Sequence, residues 1–393
     1  MAMTSPSHGE GRQFESGRAH QRLHNSPFLP QDVSLPEKIA DIEAEIASTK
    51  YNKATQHHIG KLKAKMAQLR EQVIAASSGP KGSGYSVRKA GDATVPLVGL
   101  PSVGKSTLLN SLTAAESEIA AYAFTTLDVI PGVLKHRDAI IQLLDLPGLI
   151  EGAARGAGRG REVLSVIRAA DLVLHIVDAC ESAPHVILKE LEDAGLRLDG
   201  RPPNGSIARM GQGGIEVIST VEQDLEDEAI KVVAREYGVV NAQIVLREYI
   251  DLDDLIDLLA GSRVYVPSLT VLTKVDLASK KQLARARELC PGAIEIAPPT
   301  GEGLDDLCDA IYARLDFISV FMKPQGQVAD MEEPLVVRRG TNIAEICQAL
   351  HRDFRRKFRY ALVTGPSAKF PGQTVGLGHR VADGDVVSII THR

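Results

Sequence analysis

Three short stretches of this 393-residue chain carry side chains whose types and spacing suit the handling of a nucleoside triphosphate. Gly99-Leu100-Pro101-Ser102-Val103-Gly104-Lys105-Ser106, followed by Thr107, fits GxxxxGK[ST] and lies between an apolar run (Val95 to Gly99) and a helical one (Lys105 to Ala114). There the glycines let backbone N–H groups close around phosphate oxygens at a helix N-terminus. The Lys105 ammonium neutralises β- and γ-phosphate charge, and the Ser106 hydroxyl is a Mg²⁺ ligand. Asp145-Leu146-Pro147-Gly148 follows the apolar Ile140 to Leu144 and fits DxxG, in which the aspartate reaches Mg²⁺ through water and the Gly148 N–H meets the γ-phosphate. Thr273-Lys274-Val275-Asp276 follows Leu269 to Leu272 and fits [NT]KxD. Its Asp276 carboxylate can accept from guanine N1–H and the exocyclic amine, a donor pair that adenine does not present, while the Lys274 stem covers the base plane. Four-residue patterns recur by chance in solvated loops; the position of each of these after a strand is what gives it weight.

Between the first two stretches, Tyr122-Ala123-Phe124-Thr125-Thr126 offers a threonine to complete Mg²⁺ coordination, Thr126 ahead of Thr125. The expected metal set is Ser106, Thr126 and Asp145, and the expected catalytic set Lys105, Thr126 and Gly148. Leu149 stands where Ras-type enzymes position the attacking water with glutamine, which predicts slow intrinsic turnover. The glycine-rich, basic run Glu151 to Arg161 suits a switch that orders around the γ-phosphate, with surface or partner contact as the default reading of its arginines and action in cis on the transition state as the alternative. Pro96 is a misfit, because proline inside a strand removes a ladder N–H.

The elements that must position these loops alternate short apolar runs with helical ones from Thr94 onward, the pattern of an α/β fold with a mostly parallel sheet. The organisation reads as a tail (1–33), a helical hairpin (34–84), a nucleotide-binding domain in two parts (85–180 and 263–322), an inserted α+β domain (181–262) and, after the linker Lys323-Pro324-Gln325-Gly326, a small α+β unit (331–393) with one helix from Asn342 to Phe354. Ser34-Leu35-Pro36-Glu37 has capping-box spacing and starts the hairpin; Lys61, Lys63, Lys65 and Arg70 give its second helix a basic outer side. In the last unit, His351 to Tyr360 carries five arginines and lysines against one carboxylate, with Phe354 and Phe358 spaced to share a buried helix face.

Composition narrows the class. With 45 Lys+Arg against 50 Asp+Glu, a net charge of -5 gives no global sign of nucleic-acid binding, and no DNA partner is expected. The four cysteines lack zinc or disulfide spacing, and no apolar stretch is long enough to span a membrane, so the expectation is a cytoplasmic chain with no membrane partner.

The chain resembles the developmentally regulated GTP-binding proteins, a branch of the Obg-related GTPases. The resemblance is carried by YNKATQHHIGKLKAK (51–65), GLPSVGKSTLLN (99–110), AAYAFTTLDVIPG (120–132), IQLLDLPGLIEGA (141–153), GRGREVLSV (158–166), DDLIDLL with RVYVPS (253–268), and HRDF, YALVTG and SAKF (351–370). It implies a G domain interrupted by an inserted domain, a helical arm, and a C-terminal TGS domain of β-grasp shape. It also implies binding and hydrolysis of GTP to GDP with Mg²⁺, association with the ribosome or rRNA, and a stabilising partner protein engaged through the TGS domain. Thr273 stands where the family usually has asparagine, and Ala297-Pro298 where a Ser-Ala pair meets guanine O6. Ser102 occupies a position often held by asparagine in potassium-dependent relatives, which leaves activation by K⁺ open. Two other uses of the site stay open: a nucleotide-gated docking module with incidental hydrolysis, and a preference for ATP.

Overall fold

The structure is a computed structural model that describes residues 34–53, 55–76, 91–113, 130–146, 160–181 and 183–392. The tail and the Ser77 to Gly84 break lie outside the described residues. Helix α1 (Leu35–Ser48) starts with the capping box expected at Ser34 and Glu37, and α2 (Gln56–Ala76) packs beside it.

The sheet that carries the three motifs has the order β11-β10-β4-β1-β3-β2 among the described residues. Its strands are β1 (Ala93–Val98), β2 (Ile130–His136), β3 (Ala139–Asp145), β4 (Val173–Asp178), β10 (Ser268–Thr273) and β11 (Ile294–Glu295). β11, β10, β4, β1 and β3 run parallel, and β2 closes one edge antiparallel to β3. β1 and β4 are buried at every position because helices cover both faces, so both are mainly apolar, with Thr94, His175 and Asp178 as the polar exceptions. On one face, Leu108 and Leu109 of α3 (Lys105–Thr113) and Leu307 and Ile311 of α9 (Leu304–Arg314) join Val95, Leu97 and Ile176. On the other, Leu164 and Ile167 of α4 (Gly160–Arg168) and Ile187 and Leu191 of α5 (Pro184–Asp193) join Val98, Leu144 and Val173. Helix α8 (Lys280–Leu289) adds Ala286 against Val177 and Leu272.

Pro96 fits because of the side its missing donor would face. The Thr94 N–H, two residues earlier on the same side, donates to the Asp171 carboxylate at 2.8 Å instead of to a strand, and β1 pairs with β4 only from Leu97.

The insertion builds its own sheet, β6-β8-β7, from β6 (Gly205–Arg209), β7 (Ile215–Ser219) and β8 (Ala242–Leu246). α6 (Asp227–Glu236), α7 (Leu252–Ala260) and α2 share its core through Ile59, Val233, Ile244 and Leu255. At Gly60 an added Cβ would sit 2.9 Å from Val233 Cγ2, so the glycine lets α2 lie close to α6. The expected start of the insertion at residue 181 is corrected: α5 packs into the G-domain core, and β5 (Leu196–Leu198) pairs in parallel with β9 (Val264–Val266). The independent core begins near Gly205, because apolar runs specify burial without saying which sheet receives them. The basic outer side of α2 is narrowed to the exposed Lys65, because the other three cations are paired. Lys61 pairs with Glu236 at 3.4 Å, Lys63 with Asp253 at 2.7 Å, and Arg70 with Glu43 and Asp193 at 2.7 and 2.8 Å, so these cations meet acids on neighbouring elements.

The C-terminal sheet runs β13-β12-β16-β14-β15, from β12 (Phe317–Met322), β13 (Leu335–Arg338), β14 (Phe358–Thr364), β15 (Gln373–Val375) and β16 (Val386–Thr391). β12 opens this domain ahead of the 323–326 turn, which corrects the boundary at 331. The expected single helix is two, α10 (Ile343–Leu350) and α11 (Arg352–Arg356), divided at His351, whose φ of -170 and ψ of 142 are extended. Phe354 is consequently exposed on α11 while Phe358 starts β14, so they share no helix face. The domain docks on the first through Val336, which joins the main core, and through an Arg338–Asp171 ion pair of 2.6 Å. Among the described residues no helix is long and apolar enough to cross a membrane.

Candidate nucleotide-binding site

The three motifs follow β1, β3 and β10, so all sit at the carboxyl edge of one parallel sheet, where α/β folds bind ligands. The chain turns from β1 into α3 through Gly99 to Gly104. An added Cβ at Gly99 would lie 2.5 Å from the Ile176 carbonyl oxygen, so only glycine lets the loop leave the sheet this close to β4. Ser102 and Gly104 take φ of 61 and 97, left-handed values that turn successive N–H groups toward one side of the loop.

Lys105, 8% exposed, donates from Nζ to the Gly99 and Leu100 carbonyls at 3.1 and 3.0 Å. Burial lowers its pKa, and the charge of Asp145 opposes that shift. The exposed Ser106 hydroxyl bonds to Asp145 Oδ2, which brings two hard oxygen donors together beside the lysine. That donor set suits Mg²⁺ completed by phosphate and water oxygens. Thr107 is exposed on the first turn of α3.

The Thr273 hydroxyl, fully buried, donates to the Val103 carbonyl at 2.6 Å and approaches that of Val177 at 3.2 Å. Lys274, at φ 58, donates from Nζ to the Ser102 carbonyl at 2.8 Å and to Asp178 Oδ2 at 2.6 Å. These bonds lock the Thr273–Asp276 loop to the phosphate loop. Val275 is half-buried and Asp276 exposed, free to meet a ligand. The sequence reading missed Asp178; its signal is an acid at the carboxyl end of a central parallel strand.

Ala297 and Pro298 lie near α3, where the Ser111 hydroxyl reaches the Pro298 carbonyl at 3.4 Å. The Ala297 N–H is spent on the Glu302 carbonyl at 3.0 Å, and proline has none, so neither supplies the free N–H expected at guanine O6. Leu146 is buried. Thr125, Thr126, Pro147, Gly148 and Leu149 lie outside the described residues, as does the run from 151 to 159.

A phosphate loop, a Ser–Asp oxygen pair and a base loop on one sheet edge, followed by a β-grasp unit, define a P-loop G domain with a C-terminal TGS domain. Residues 94–203 match the family described as 50S ribosome-binding GTPase, residues 212–317 the C-terminal region of that domain, and residues 318–391 the TGS domain. The chain is 48% identical to an uncharacterized GTP-binding protein of Methanocaldococcus jannaschii over 95% of its length and 97% of the relative's. It is 42% identical to developmentally-regulated GTP-binding protein 2 of Bos taurus, over 91% of its own length and 100% of that protein's. The chain belongs to the developmentally regulated GTP-binding protein family, and it is a GTP-binding protein.

Proposed function

We propose that the chain hydrolyses GTP to GDP and phosphate with Mg²⁺, and that its nucleotide state regulates docking on the ribosome in the cytoplasm. The observation that carries the reading is the pair of bonds from Thr273 and Lys274 to Val103 and Ser102, which make one ligand site from the base and phosphate loops. Lys105 exchanges its carbonyl partners for β- and γ-phosphate oxygens, and Ser106 and Asp145 hold the metal ion. Mg²⁺, when bound there, neutralises the charge that develops between the β- and γ-phosphates. With leucine at 149, water is oriented by another group, and turnover without a partner is slow. In this reading Thr126 would complete the Mg²⁺ ligands and the Gly148 N–H would meet the γ-phosphate, and K⁺ is a candidate activator.

Ribosome or rRNA contact is supported by the description of the matched family and by the cations of the TGS domain, where Arg355, Arg356, Lys357 and Arg359 are exposed. A stabilising protein partner of that domain belongs to the same reading. The test is phosphate release from GTP with and without ribosomes, in Mg²⁺ or EDTA, at matched Na⁺ and K⁺. Mg²⁺-dependent release that ribosomes stimulate is expected; no release in Mg²⁺ overturns hydrolysis, and indifference to ribosomes overturns the translation role.

A further inference from the structure

Asp178, the last residue of β4, lies against the ammonium that holds the phosphate loop. Its Oδ2 accepts from Lys274 Nζ at 2.6 Å, and the same Nζ donates to the Ser102 carbonyl at 2.8 Å. Its Oδ1 accepts the Cys180 N–H at 2.7 Å, which fixes the plane of the carboxylate. Asp178 is buried, and Lys274 holds a left-handed φ of 58, a conformation that long L side chains keep only when surrounding bonds enforce it. One residue earlier, Thr273 holds the next carbonyl, that of Val103. Two consecutive base-loop side chains therefore hold two consecutive phosphate-loop carbonyls.

We propose that Asp178 is a positioning residue for guanine-nucleotide binding, acting through Lys274. The carboxylate fixes the lysine so that its stem stays over the base and its ammonium stays on Ser102, which keeps Asp276 in register with the phosphate loop. Without that carboxylate the ammonium is drawn to solvent, the link to Ser102 loosens, and the base and phosphate contacts no longer close together. The effect falls on nucleotide release, because association is set mainly by diffusion and orientation. The inference rests on the GTP reading above.

The experiment measures dissociation of a fluorescent GDP analogue from the full chain as wild type, Asp178→Ala, Asp178→Asn, Lys274→Met, and the Asp178→Ala/Lys274→Met double variant, with unfolding curves for each. Asp178→Ala is expected to speed release roughly tenfold, the factor implied by losing one charge-assisted hydrogen bond. Asp178→Asn, which keeps an acceptor for Lys274, recovers part of the loss and carries the test if the alanine variant does not fold. The double variant releases no faster than Lys274→Met alone, because both changes break the same contact. Unchanged release in the Asp178 variants, or effects that multiply in the double variant, overturn the proposal. A wild-type chain that does not hold the analogue overturns the GTP reading itself, and so the two failures are distinct.

Discussion

The hydroxyl of Thr273 reaches the carbonyl of Val103 at 2.6 Å, although 170 residues separate them. This bond sets how the base loop meets the phosphate loop. Thr273→Val keeps the shape and removes the donor, leaving a buried carbonyl short of a partner at about 1–3 kcal/mol. Weaker guanine-nucleotide binding with a modest loss of stability is expected, measured by titration calorimetry and urea unfolding. Unchanged affinity would show that the threonine serves packing alone.

Asp276 is exposed beside this joint. Asp276→Asn should weaken GTP and gain xanthosine triphosphate, since the amide replaces one of two acceptors with a donor, which suits the xanthine C2 carbonyl in place of the guanine amine. Competition binding with ATP included measures it, and undiminished preference for GTP would place base recognition elsewhere.

His175, 1% exposed in the middle of β4, has an Nδ1 with no hydrogen-bond partner among the described residues, and burial lowers its pKa to about 4 from 6.5. The unfolded chain binds a proton below its ordinary value while the folded chain does not, so stability is whole above pH 6.5 and falls as pH drops toward 4. The full loss is roughly 3 kcal/mol. Urea unfolding at pH 5 and 7, compared with a His175→Leu variant, should show the difference shrinking in the variant; equal pH dependence in both would assign it to other groups.

Asp257, 7% exposed, accepts from Arg197 Nε at 2.7 Å and from Arg263 Nε at 2.8 Å. It ties α7 of the insertion to residues in and beside the β5–β9 pair. Asp257→Ala leaves two part-buried guanidiniums without this partner and should cost about 3–5 kcal/mol. Lys63→Ala, on an exposed pair with Asp253, should cost less than about 1 kcal/mol. Thermal unfolding ranks the two, and the reverse order would contradict the burial argument.

At the junction of the G domain and the TGS domain, Asp171 accepts the buried Thr94 N–H at 2.8 Å and pairs with Arg338. Asp171→Ala should destabilise by about 1–3 kcal/mol, because that N–H loses its acceptor. Arg338→Ala, at a side chain 47% exposed, should cost under about 1 kcal/mol. Chemical denaturation of both variants checks the asymmetry.

The phosphate loop after β1, Asp145 at the end of β3 and Thr273 at the end of β10 were legible in the residues alone, because each is local: a glycine spacing, an acid or lysine at a fixed offset, a mainly apolar run before it. The capping box at Ser34 was legible for the same reason. Tertiary structure alone decided which sheet takes Phe317–Met322, that α5 belongs with the G-domain core, that Lys63 and Arg70 meet acids, and that Asp178 sits on Lys274. An apolar residue or a charge specifies that it needs burial or a counter-charge, and only the folded chain, bringing residues 96 apart within 2.6 Å, specifies which one.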